Sequence, residues 1–122
     1  KILYLIYIML KNNHTKKLYE KIEKDTEGYL KKAADWSIEL AKEIAKKEKI
    51  VLTNDHWTVI NFIRKFYFKF NITPSMRMLI KSIEKKIGLK KSNSIYLFRL
   101  FPEGPAKQAS KIAGIPKPSR CL

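Results

Sequence analysis

The stretch 56-HWTVINFIRKFYFKFN-71 decides the fold. Val59, Phe62, Ile63, Phe66 and Phe70 recur at helical spacing and mark a broad face for burial, which predicts a central amphipathic helix. Thr53 to Asp55, just upstream, supply polar side chains suited to capping its first turn. Thr58, Asn61, Lys65 and Lys69 form a solvent stripe on the other side. Arg64 falls outside that stripe, beside Trp57, Ile60 and Phe68. Two readings of it stay open: its stem packs while the guanidinium reaches water, or the guanidinium binds an anion or the chain terminus.

Working outward, Ala33, Trp36, Leu40, Ala41 and Ile44 predict a helix from Ala33 to about Lys49, with Glu43 and Lys47 one turn apart on its wet side. Before it, KLYEKIEKDTEGYL alternates apolar and polar residues around Asp25 to Gly28, the pattern of a small hairpin. After the central helix, Thr73 as N-cap and Pro74 at the first helical position open a third helix. Its stripe of Met76, Leu79, Ile80, Ile83 and Ile87, with both methionines read as core, ends at Gly88. A shorter helix follows in SNSIYLFRLF. Gly104-Pro105 opens and Gly114 closes a last one over PAKQASKIA, beyond which Pro116 and Pro118 forbid helix and predict an extended arm. The expected fold is mainly α: a small orthogonal bundle of about five helices with an N-terminal β-hairpin and a flexible C-terminal arm. Residues 1–17 form an extension, 18–113 the helical domain and 114–122 the arm.

A chain of 122 residues is one domain's worth, and 45% hydrophobic content suits a folded one. The formal charge of +15 would point to a polyanionic partner. Because lysine rather than arginine supplies nearly all of it, alongside much Ile, Asn, Tyr and Phe, an AT-rich coding composition accounts for it equally well. With Cys121, His14 and His56 as the only thiol and imidazole groups, no zinc-finger cluster can be assembled and no internal disulfide can form. A cytoplasmic location is expected, with no metal and no cofactor. The opening KILYLIYIML is about half of a membrane span, and no cleavage signal follows it, so neither a membrane partner nor secretion is expected. Met9 as the true initiator, or an accessory strand over residues 1–8, are the readings left for that run. No Gly-rich nucleotide loop, carboxylate pair or Ser/His/Asp set suggests a self-contained enzyme. His56, at a helix start beside Trp57, reads as structural.

The tail AGIPKPSRCL carries the sole thiol next to the last residue. Prolines hold such a segment extended, so a cysteine beyond them loses less entropy on entering a partner's pocket. Lys117 and Arg120 favour its thiolate, the form that attacks sulfur electrophiles, while the Leu122 carboxylate opposes it, leaving the net direction open.

DTEGYL, LTNDHWTVINFIRKFY and SIYLFRLFPEGPAKQASKIAGIPKPSRCL together resemble the TusE/DsrC family of sulfur-relay proteins, from about Asp25 to the end. The resemblance implies a helical bundle with a hairpin and a mobile arm, and a persulfide carried on Cys121. The family branch serving dissimilatory sulfite reductase has a second arm cysteine where this chain has Ser110, so the resemblance points to the TusE branch and tRNA 2-thiolation. It implies as partners an upstream TusBCD-like relay complex and a tRNA thiouridylase with bound tRNA. Lys117, Arg120 and Arg64 become candidates for stabilising the thiolate or binding a partner, and Gly114, Pro116 and Pro118 for shaping the arm. The sequence leaves oligomeric state open. A basic tRNA- or protein-binding module without sulfur chemistry, and an adaptor dimerising through Cys121, are the rival readings.

Overall fold

In the computed structural model, which describes residues 1–118, helices α1 (Ile2–Lys21), α2 (Ile38–Lys47), α3 (Asn54–Phe70), α4 (Met76–Ile87), α5 (Ser94–Leu100) and α6 (Pro105–Ile112) follow one another. A short 3₁₀ turn, Ala33–Asp35, precedes α2. The core forms where the apolar faces meet: Leu40, Ala41 and Ile44 of α2, Val59, Ile60 and Ile63 of α3, Leu79 and Ile83 of α4, Leu97 of α5, and Ala109 and Ile112 of α6. Phe101, in the turn between α5 and α6, is fully buried at its centre.

Local signals explain where the helices start. Thr53 caps α3 by accepting from the His56 backbone N–H, and the His56 ring replies by accepting at Nδ1 from the Thr53 N–H (3.1 Å). His56 Nε2 is then the donor, to the Leu100 carbonyl at 2.8 Å, and the ring meets Phe101 edge-on. His56 therefore pins α3 to the end of α5, and burial pushes its pKa below the usual value. Ser37, Ser75 and Asn93 cap α2, α4 and α5 by accepting from the N–H groups of Leu40, Met78 and Tyr96.

Several expectations need correction. The expected hairpin does not form among the described residues: α1 runs through Lys21 and consumes the residues a first strand requires, leaving Lys24 and Leu30 paired in an isolated antiparallel bridge. Asp25 instead organises a tight turn, its carboxylate accepting from the N–H groups of Glu27 and Tyr29. Among the described residues the bundle has six helices, because residues 2–21 are helical. The helix expected from Ala33 begins at Ile38, since the Ser37 cap interrupts it and leaves Trp36 outside. Helix α4 starts behind Ser75, two residues later than a Thr73 cap implies. Phe70, on the expected buried face of α3, is exposed, because it sits in the last turn, ahead of the left-handed Asn71 that ends the helix.

Candidate functional site

Cys121 and Arg120 lie outside the described residues, so the describable part of the site is the platform from which the terminal segment departs. That platform is α6. Its first turn begins at Pro105 behind Gly104 (φ 112°), and Pro105, Ala106, Gln108, Ala109, Ser110 and Ile112 are all buried.

A helix end leaves carbonyls without intrahelical donors. Here distant side chains supply them. The Trp36 indole N–H donates to the Ile112 carbonyl (2.8 Å), and Arg64 Nη1 donates to the Ala113 carbonyl (2.7 Å). The guanidinium also stacks on Trp36, 3.9 Å from the ring centroid, and lies 4.9 Å from that of Phe68. Burial lowers the Arg64 pKa from its ordinary value. Gly114 follows at φ +69°, and a Cβ there would fall 2.3 Å from Trp36 Cδ1. Only glycine satisfies both the backbone twist and the approach of the indole.

Farther along, Ile115 is fully buried, its N–H donating to the Ser110 carbonyl (3.2 Å), and Pro118 is buried as well. After Gly114 the chain is no longer helical, and through Pro118 it lies on the body rather than projecting from it, in a groove lined by Tyr67, Thr73, Pro74, Met78 and Ala106. Lys117 ion-pairs with Glu27 (2.8 Å), joining the arm to the Asp25 turn. The same turn is tied to α6 by the Tyr29 hydroxyl, which donates to the Lys107 carbonyl (3.0 Å). On the α2 side, Glu48 accepts from Gln108 Nε2 (3.1 Å) and pairs with Lys111 (3.4 Å).

Of the residues singled out from sequence, Arg64 and Gly114 thus meet at the root of the arm, Pro116 and Pro118 line the groove, and Lys117 sits on Glu27. His56 is apart from them, bonded to Thr53 and Leu100. Sequence alone marks neither Trp36 nor Glu27 as part of this site. The Ser37 cap and Glu39 in the first turn of α2 are the signals that would have moved Trp36 off the helix; none marks Glu27. Met78, read as core, is 38% exposed and borders the groove. Ser110 is fully buried, and its hydroxyl has no hydrogen-bond partner among the described residues. Among those residues no three His, Cys, Asp or Glu side chains are grouped to hold a metal, and no helix is long and apolar enough to cross a membrane.

Residues 16–122 match the model of the DsrC-like protein family. A curated relative named Sulfurtransferase TusE, from Buchnera aphidicola subsp. Acyrthosiphon pisum, is 76% identical over 104 residues, which is 85% of this chain and 91% of the relative. Sulfurtransferase TusE from Escherichia coli K12 is 55% identical over 103 residues, 84% of this chain and 94% of that one. Among solved structures, Allochromatium vinosum DsrC superposes with a TM-score of 0.73 at 46% identity, covering 83% of this chain and 90% of its own. The oxidised γ-subunit of the dissimilatory sulfite reductase (DsrC) from Archaeoglobus fulgidus gives 0.76 at 37%, covering 83% and 92%.

Proposed function

The chain belongs to the DsrC-like protein family, and from that premise we propose that it is a sulfurtransferase of a sulfur relay serving tRNA 2-thiolation, with Cys121 as its carrier. The observation that carries this reading is the root of the arm: Trp36 and Arg64 hold the last carbonyls of α6 and Gly114 turns the chain beneath them, a fixed base for a segment that ends in the sole thiol.

The chemistry is thiol exchange. The Cys121 thiolate attacks the outer sulfur of a donor persulfide, R–S–SH. The donor S–S bond breaks, its electron pair leaves with the inner sulfur as R–S⁻, and Cys121–S–SH forms with no net oxidation or reduction. The upstream donor is a TusBCD-like relay complex, and the acceptor is a tRNA thiouridylase with its bound tRNA. Because the chain has one cysteine, the persulfide has no second thiol within the same molecule to attack it. Ser110, buried and without a thiol, cannot supply one.

In a reconstituted relay, Cys121→Ser is expected to abolish transfer to the thiouridylase while the circular dichroism spectrum and thermal midpoint stay at wild-type values. Transfer retained by that variant would refute the reading.

A further inference from the structure

Between Asp55 and Glu84 the chain contains no carboxylate, while Arg64, Lys65, Lys69, Arg77 and Lys81 fall in that interval. Folding gathers part of this charge. Asn61, Arg64, Lys65, Phe68 and Lys69 of α3 and Lys86 of α4 line an open depression. Lys65, Lys69 and Lys86 are exposed, and no carboxylate among the described residues pairs with them. Amid these cations Phe68 is 60% exposed, with the Arg64 guanidinium 4.9 Å from its ring centroid. Arg64 belongs to both places at once, lining the depression and holding the Ala113 carbonyl at the root of the arm.

We propose that this depression binds the phosphate backbone of RNA, with Phe68 as a stacking platform for one base. The inference rests on the sulfur-relay reading above and adds a direct contact between this chain and the tRNA whose uridine is thiolated. Lys65 and Lys69, one helical turn apart, have Cβ atoms about 5–6 Å from each other, close to the spacing of successive phosphates. An exposed aromatic set among lysines suits single-stranded nucleic acid, where bases stack and phosphates neutralise the cations. An acidic protein face could use both the charges and Phe68, so the salt slope and the RNA-free control below decide between the two partners. The position also fits the task, since RNA held there lies beside the root of the segment that carries Cys121.

The test is fluorescence anisotropy of an end-labelled tRNA transcript with an unmodified wobble uridine, titrated with the full chain across a series of KCl concentrations. The double variant Lys65→Gln, Lys69→Gln is expected to bind at least fivefold more weakly and to flatten the salt slope by roughly 1.5, since each lost phosphate contact removes about 0.7–0.9. Phe68→Ala is expected to weaken binding roughly tenfold with the slope unchanged. Lys16→Gln, Lys17→Gln, which removes equal charge from α1, is expected to change affinity less than twofold. No binding by the wild-type chain, unchanged binding by the depression variants, or an equal loss in the α1 variant would each overturn the proposal. So would a loss of thiouridylase capture in the absence of RNA alongside unchanged tRNA binding, the behaviour of a surface for an acidic protein. Sulfur loading of the wild-type chain, measured without RNA, separates the two claims: failed loading removes the carrier reading, and normal loading beside unchanged RNA binding removes only the depression.

Discussion

Helices α1 and α6 stand at opposite ends of the chain and are both regular, yet α1 buries none of its residues, only Tyr19 resting partly buried against the core, whereas α6 buries most of its own. Ile2, Leu3, Leu5 and Leu10 are each more than 60% exposed. The contrast reverses what hydrophobicity alone suggests, because the N-terminal run is the more apolar of the two. What distinguishes α6 is reach from elsewhere: the Tyr29 hydroxyl, the Trp36 indole, the Arg64 guanidinium and Glu48 all end on it. Local sequence is sufficient to make a helix. Polar groups arriving from distant segments decide which helix is held and where it stops.

The largest expected effect comes from breaking the C-terminal side at its least tolerant point. Gly114→Ala forces a Cβ into the Trp36 ring at a positive φ and is expected to cost about 3 kcal/mol of stability, read as a lowered urea midpoint. A midpoint equal to wild type would mean that the indole and the backbone do not hold one another. Trp36→Phe keeps an aromatic ring under Arg64 but removes the N–H given to Ile112; a loss of about 1 kcal/mol is expected in the same measurement.

The His56 contact between α3 and the α5 end adds a pH dependence. Its folded pKa is depressed by burial from an ordinary 6.5, so below that value the unfolded chain binds more protons than the folded one. The stabilising contribution is therefore complete above 6.5 and declines as pH falls through the folded pKa. Thermal midpoints of wild type should fall on acidification from neutral pH. His56→Gln should be less stable at pH 7 and lack that part of the slope.

Ser110→Ala removes a buried hydroxyl that has no partner among the described residues, and is expected to be neutral or stabilising by up to about 1 kcal/mol. The smallest effect belongs to the other region. Deleting residues 1–15, ahead of the family match, should leave the urea midpoint within about 0.5 kcal/mol of wild type, because no buried residue is lost. A larger change would show that α1 supports the bundle through its contacts with α2.

The order of helices from α2 to α6 was legible because each carries a stripe and a cap or breaker: Thr53 before α3, Gly88 after α4, Pro105 opening α6. The hairpin was not, since alternation over Leu18 to Ile22 is also compatible with the end of a helix that began far upstream. At the site, the end of α6 at Gly114 is legible from the glycine and the prolines beyond it, but the burial of Ile115 and Pro118 against the body is not. The role of Arg64 stayed open because its acceptor is a backbone carbonyl far along the chain, and no periodicity encodes such a contact. The sequence places Trp36 on a helix face for the same reason, since its partners are Ile112, Arg64 and Gly114.

The central claim is that the C-terminal end is a fixed root bearing a sulfur-carrying tip. It is tested most directly by incubating the reduced chain with a cysteine desulfurase, cysteine and the upstream relay complex, then locating added sulfur by intact-protein and peptide mass spectrometry. The account predicts a one-sulfur adduct confined to the peptide containing Cys121 and lost on reduction. No adduct from a relay shown to be active, or an adduct that persists in Cys121→Ser, would contradict it.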